Sequence, residues 1–382
     1  MTVLETPYHH GSHRDLLWTP DGSRPAKIDA IMVPTVRPPV YLGMAAKLAT
    51  HLGCTLVTLH SGRWTSAGAA AERIGSGVDL IAIDVPDPST LRLMNFETSR
   101  LLAGTRFARK TDTSAKRNLG LLLAHALGWQ RIIFLDDDIQ VPDPGDLRRA
   151  AGLLDTYNAV GLDNRGFPDN SVVCHAFRMV GGSQKSFIGG GALAVHTSRN
   201  RSFFPEIYNE DWFYMLDPGK GIQSLAMAGA VQQSPYEPFR NARRARMEEF
   251  GDVMAEGIFW VLDQGHPLDA ADARHWREFL TRRRGFIEYI LGHLDKAPVT
   301  GAERERVAAA LRASLGRLAH IDPGFCERYL QAWITDRAGW ERHLRTIRRN
   351  LPVEPALRTL SKKGCSPIGH VAHPARGTTA RG

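Results

Sequence analysis

Arg131-Ile-Ile-Phe-Leu-Asp136-Asp137-Asp138-Ile139 is an apolar run that ends in three consecutive carboxylates. A short run of β-branched, aromatic and aliphatic residues, entered from a helical segment, reads as a buried strand of an α/β sheet. Ligands of such sheets lie outside the carboxyl ends of the strands, which is where the triplet falls. Three adjacent acids repel one another unless a hard cation or several donors compensate their charge. The placement therefore argues for a metal-diphosphate site. A solvated acidic turn is the competing reading, because Asp favours turns for local reasons.

Upstream, Thr113-Ser-Ala-Lys116-Arg117-Asn118-Leu-Gly120-Leu-Leu-Leu-Ala-His-Ala-Leu-Gly128 has a polar entry, a helical apolar stretch and a stopping glycine. Lys116, Arg117 and Asn118 then occupy the first turn, where cations and an amide beside free backbone N–H groups suit a diphosphate or nucleoside. Together the two segments resemble the donor half of family 2 and related GT-A glycosyltransferases, in which a helix carrying Arg-Asn precedes a strand ending in Asp-x-Asp. Lys27-Ile-Asp-Ala-Ile-Met-Val-Pro34-Thr35-Val-Arg37-Pro38 is similar to that family's first strand and the loop beside the nucleoside. Farther on, Phe187-Ile-Gly189-Gly190-Gly191-Ala-Leu-Ala-Val-His196 and then Asn209-Glu210-Asp211-Trp212 resemble its acceptor half, a glycine turn under the sugar and an acidic pair opening a helix. These elements occur in the family's order within residues 28–235.

The resemblance implies an α/β chain with a GT-A (Rossmann-like) mixed sheet flanked by helices and a C-terminal helical extension. It implies a nucleoside-diphosphate sugar as donor, a hydroxyl acceptor, and Mn2+ or Mg2+ as cofactor. Pro34, Thr35, Arg37, Lys116, Arg117, Asn118, Asp136, Asp137, Gly190 and Gly191 are the expected donor-binding residues. Asp138 is the expected metal carboxylate, and Asp136 the carboxylate that reaches the ribose or the metal through water. Asp211 is the candidate general base toward the acceptor hydroxyl, with Glu210 as the alternative. The competing reading of that pair is simple preference for a helix N-terminus. Some GT-A enzymes add a His ligand beyond the acceptor helix; the comparable strand from Ala226 to Gln233 has none, and His266 and His275 come later. A catalytically silent sugar-nucleotide-binding or scaffold protein is the alternative from another class. Nucleotidyl transfer is weaker, since no Gly-rich loop with a basic, Leu-Pro-containing continuation is present.

The chain of 382 residues, 43% of them hydrophobic, can bury a full core and exceeds one average domain. No apolar run reaches the roughly 18 residues of a membrane span, and no basic-then-apolar leader opens the chain, so a cytoplasmic location is expected. Cys54, Cys174, Cys326 and Cys365 stand alone without Cys-x-x-Cys spacing and are expected as reduced thiols. The net charge of +8 is uneven: 23 basic against 22 acidic residues over 1–235, 20 against 17 over 236–350, and 5 against 1 over 351–382. That basic excess suits peripheral contact with an anionic membrane surface or an acidic partner, or merely a solubilising surface. Arg243-Arg244-Ala-Arg246 and Arg282-Arg283-Arg284 lie among acids and read as solvated helix faces with local ion pairs, so no nucleic-acid partner is expected.

Residues 1–27 lack sustained periodicity and read as an extended arm. The sheet domain is expected over 28–235. After Pro235 and Pro238 the segments near 239–263, 271–294, 301–318 and 324–349 read as helices, giving a helical extension over 236–350. Residues 351–382, rich in Pro, Gly, Thr and basic groups, read as a disordered basic tail.

Overall fold

The structure, a computed structural model, describes residues 5–168, 171–366 and 368–374. The first half alternates β1 (Ala30–Thr35), α1 (Gly43–Leu52), β2 (Thr55–His60), α2 (Ala67–Ile74), β3 (Leu80–Asp84), α3 (Glu97–Leu102), α4 (Thr113–Leu127) and β4 (Arg131–Leu135). Next come β5 (Ile139–Gln140), α5 (Pro144–Leu153), β6 (Ala159–Asn164), α6 (Val172–Met179) and β7 (Ala192–His196). A short α7 (Glu210–Tyr214), the hairpin of β8 (Leu216–Asp217) and β9 (Gly221–Ile222), and the long β10 (Leu225–Gln233) complete the sheet region. Four long helices follow: α8 (Ala242–Asp263), α9 (Ala273–His293), α10 (Gly301–Leu318) and α11 (Pro323–Arg345). The described residues end with α12 (Val353–Leu360) and β11 (Gly369–His373).

Among the described residues, nine strands form one mixed sheet in the order β11-β3-β2-β1-β4-β7-β6-β10-β5. β1, β2, β3 and β4 run parallel, and β7 runs antiparallel to β4 and β6. The apolar runs of β1 and β4 are buried on both faces because helices cover both faces of the sheet. In register, Ala30 faces Ile132 and Leu135 faces Ala192. The loops after β1 and β4 and the glycine turn before β7 therefore meet at one edge. Pairing alone brings Thr35, the acidic triplet and Gly190-Gly191 together.

One core cluster joins the Met32, Leu59 and Phe134 face to α4, α6 and the later helices through Phe204, Tyr214, Trp276, Trp333 and Trp340. The other lies between Ile31, Val33, Ile133 and Leu135 and helices α1, α2 and α5. Helices α8 to α11 thus share the sheet's own core. α4 is buried nearly all round, so Gly120 lets it close on β1: a Cβ there would stand 2.8 Å from Met32 Sδ. Among the described residues, no helix is long and apolar enough to cross a membrane.

The arm is docked. Trp18 bridges to Ala226 beside β10, with its N–H on the Leu225 carbonyl at 3.1 Å, and His10 and His13 are buried under the helices. The expectation of a disordered tail over 351–382 fails for its described part. α12 is amphipathic and buries Ala356, Leu357 and Leu360. β11 pairs antiparallel with β3, Gly369 opposite Asp84 through His373 opposite Leu80, and covers what would be an open sheet edge. An eight-residue apolar stripe flanked by Pro and Gly is too short to stand out from composition. Residues 375–382 lie outside the described residues. Deleting residues 352–382 should lower stability by about 3–5 kcal/mol through the loss of the apolar burial of Leu357, Leu360 and Ile368; an unchanged Tm in calorimetry would refute this docking.

Candidate functional site

Arg117 is the hub of the site. It lies on the second turn of α4, beyond the free N–H groups of the first turn where the sequence reading put it, is 4% exposed, and extends one guanidinium between two acids. Nη2 reaches Asp136 Oδ1 at 3.1 Å, and Nη1 reaches Glu210 Oε1 at 2.8 Å. The same guanidinium packs over the Phe204 ring, 5.4 Å from its centroid. Gly190 makes room for it, since a Cβ there would meet Arg117 Nη1 at 2.4 Å. The Gly191 carbonyl accepts the Asp136 N–H at 2.9 Å, tying the glycine turn to the start of the triplet.

The other two acids turn toward β1. Asp137 Oδ2 accepts from Thr35 Oγ1 at 2.5 Å, and the Thr35 hydroxyl in turn accepts from the Arg37 N–H at 3.1 Å. The Arg37 side chain spans both carboxylates, with Nη1 at 3.2 Å from Asp137 and Nη2 at 2.9 Å from Asp138. Asp137 is nearly buried, whereas the Asp136 and Asp138 side chains keep 36% and 24% of their surface exposed. The two outer acids of the triplet thus face solvent and the middle one anchors the loop.

Lys116 and Asn118 are committed to the scaffold. Lys116 Nζ donates to the Thr35 carbonyl at 2.9 Å and pairs with Asp112 at 3.1 Å, and burial lowers its pKa. Asn118 exchanges two 2.8 Å hydrogen bonds with the Phe204 backbone. Its amide braces the segment leading to α7. Pro34 lies in β1 opposite Leu59.

Glu210 and Asp211 open α7, and their setting depends on Asn209. That residue has the left-handed conformation, φ 63°, and its side chain donates to Asp252 Oδ1 at 3.1 Å. Asp252 in turn pairs at 3.0 Å with Arg283, which also holds Glu249 at 2.9 Å and Glu256 at 2.7 Å. Arg283 is 1% exposed, which corrects its reading as part of a solvated basic face. It shares the buried side of α9 with Phe279, Phe286 and Ile290, facing the acids spaced three and four apart on α8. Asp211 accepts the Gly190 N–H on Oδ2 at 2.6 Å and the Trp212 N–H on Oδ1 at 3.0 Å. The acidic pair is therefore divided: Glu210 belongs to the Arg117 hub, and Asp211 fastens the glycine turn to α7.

Six carboxylates (Asp112, Asp136, Asp137, Asp138, Glu210, Asp211) meet four cations (Arg37, Arg109, Lys116, Arg117), an excess of two negative charges. Burial pushes the Asp136, Asp137 and Glu210 carboxyls above their ordinary values, against the pull of Arg117, Thr35 and Arg37. A divalent cation would relieve the same excess. Its donors would be the exposed oxygens of Asp138 and Asp136, which suit an ion that keeps several water or phosphate ligands. No third His, Cys, Asp or Glu atom joins them at ligand distance among the described residues; the one such group lies elsewhere, at His10, Cys174 and Glu256. His275 bonds the Gly257 carbonyl on α8 instead.

Asp112, Asn209 and Arg283 were not singled out by sequence reasoning. Asp112 stands four residues before Lys116, a helical pairing distance, and Asn tolerates the left-handed region; both signals were legible. Arg283 carried no local signal that separates it from Arg282 and Arg284.

No protein-family model matches the chain, and neither does the sequence of any curated protein. Among solved structures, the mannosyltransferase PcManGT from Pyrobaculum calidifontis, in complex with GDP-Man and Mn2+, is similar over 84% of this chain and 90% of its own. Identity is 15% and the TM-score 0.43, a likeness too slight to carry a family or a residue's role.

Replacing Arg117 by Met leaves Asp136 and Glu210 without their cation and should cost about 3 kcal/mol near neutral pH. Both carboxyls, already raised by burial, would rise further without Arg117, so their contribution is favourable at low pH and lost more steeply as pH rises. The deficit relative to the parent should shrink when urea unfolding is repeated near about pH 5. A deficit independent of pH would contradict the pairing.

Proposed function

We propose that the chain is a metal-dependent glycosyltransferase of GT-A type that transfers a sugar from a nucleoside-diphosphate donor to a hydroxyl acceptor. The observation that carries this reading is the convergence, at the carboxyl ends of β1 and β4, of Asp136 and Asp138 with Arg37, Arg117 and the Gly190-Gly191 turn. Such a cleft has the charge to hold a divalent cation and, through it, a diphosphate. Mn2+ or Mg2+ would sit on Asp138 and Asp136 and supply stabilisation of the diphosphate as it leaves.

In this reading the protein's own groups divide the work. Thr35 and Asp137 hold the loop after β1 against the triplet, with Pro34 fixing its approach. Arg37, 41% exposed, is free to swing from Asp138 to a phosphate or ribose. Lys116 and Asn118 support the cleft from behind rather than touching the donor. Glu210 keeps Arg117 oriented, and Asp211 takes the acceptor proton through a lone pair left over after its two backbone hydrogen bonds. Because burial raises the Asp136 and Asp137 pKa values, metal binding competes with protons there and should strengthen as pH rises through the upper carboxylate range.

The commitment of both Asp211 oxygens to backbone N–H groups favours one second reading, a sugar-nucleotide-binding protein without turnover. Purified protein incubated with UDP-, GDP- and dTDP-sugars, with and without Mn2+, separates the two. The proposal expects Mn2+-dependent consumption of one donor; binding without consumption would leave the second reading. Asp138→Asn should reduce turnover at least about 100-fold with folding intact. Asp211→Asn should depress transfer by about 100-fold or more while donor affinity changes little; near-normal transfer would return Asp211 to a purely structural role.

A further inference from the structure

Away from the triplet, the N-terminal arm brings His10 against Cys174 of α6 and Glu256 of α8. The three residues are 3%, 2% and 4% exposed, and their ligand atoms all lie within 4.8 Å of one another. His10 Nε2 stands 2.6 Å from Glu256 Oε2 without the alignment of a hydrogen bond. Cys174 Sγ is 3.5 Å from the other carboxylate oxygen. We propose that His10, Cys174 and Glu256 form a binding site for a zinc-class divalent cation that fastens the arm to the helical layer, separate from the acidic triplet.

The donor set is the first argument. One thiolate, one imidazole and one carboxylate are the ligands that a tetrahedral zinc-class ion takes in mixed sites, whereas Mg2+ and Ca2+ prefer oxygen alone. Ligands about 2.0–2.3 Å from such an ion stand about 3.3–3.8 Å apart. The imidazole need withdraw from Glu256 by only about 1 Å, and it is carried on a segment with no regular hydrogen bonding of its own. A cavity of about 50 Å3, lined by Cys174, Glu256, Gln184 and Asp211, adjoins the group and has room for a water as fourth ligand.

Charge is the second argument, and it is independent of ligand type. Glu249, Asp252 and Glu256, none more than 4% exposed, surround the single guanidinium of Arg283. Three carboxylates thus face one guanidinium in a dry interior, an excess of acid. A dication seated on Glu256 would answer that excess. Binding must release the proton of the Cys174 thiol, so affinity should rise with pH.

Cobalt(II) replaces zinc in such sites and shows a sulfur-to-metal charge-transfer absorption only when a thiolate binds. The test uses the full chain with Cys365→Ser, which removes the one exposed cysteine among the described residues. After chelation it is titrated with Co2+. The proposal expects the charge-transfer band at about one ion per chain, its displacement by Zn2+, and a rise in Tm with Zn2+. Cys174→Ser should abolish the band, His10→Gln should weaken Co2+ affinity at least about 10-fold, and Asp138→Asn should leave the band in place. A parent protein without the band, or a band that survives Cys174→Ser or vanishes with Asp138→Asn, overturns the proposal. Should Cys174→Ser fail to fold, unweakened Co2+ affinity in the His10→Gln protein overturns it equally.

Discussion

The buried guanidinium of Arg117 holds together three pieces of chain that sequence distance keeps apart: the end of β4, the second turn of α4 and the start of α7. An arginine with 4% exposure is tolerable only where its charge is answered. Asp136 and Glu210 answer it, and the partial dehydration of those acids is in turn tolerable only beside it. The Gly190 backbone, with no Cβ to collide with the guanidinium, completes the arrangement. Remove the cation and the acids must take up protons or water must enter.

A second buried arginine supports the same short segment from behind. Arg283 orients Asp252, Asp252 accepts from Asn209, and Asn209 takes the left-handed conformation that sets Glu210 and Asp211 at the head of α7. Helices α8 and α9 therefore do more than cover the sheet. They reach the candidate acceptor side through a chain of charge-assisted hydrogen bonds, which are stronger than neutral ones. The docked arm sets His10 beside that network, 2.6 Å from Glu256.

Legibility in the sequence followed the range of the interactions. The strand running into the triplet, the helix opening at Thr113 and stopping at Gly128, and the later helices all have local signatures of period, cap or breaker, and each appears in the structure. The meeting of Thr35 with the triplet rests on the pairing of β1 with β4, which no local signal specifies. What was not legible depends on partners far along the chain. Asn118 has an amide suited to a nucleoside, but the Phe204 backbone, 86 residues away, uses both ends of it. Arg283 looks like its neighbours until the stripe of Glu249, Asp252 and Glu256 on α8 is laid against it. Cys174 stands alone in sequence because its companions come from the arm and α8, and α12 and β11 gain their order only by packing on α4 and β3.

The central claim is that Asp136 and Asp138 take a divalent cation together with a nucleoside diphosphate. Electron paramagnetic resonance of free Mn2+, recorded during titration of the protein with and without UDP or GDP, measures this coupling directly. The account predicts that one diphosphate tightens Mn2+ binding at least about 10-fold, on the order of 1.4 kcal/mol of coupling, and that Asp138→Asn abolishes the effect. Equal Mn2+ affinity with and without either nucleotide, or coupling that survives Asp138→Asn, would contradict it.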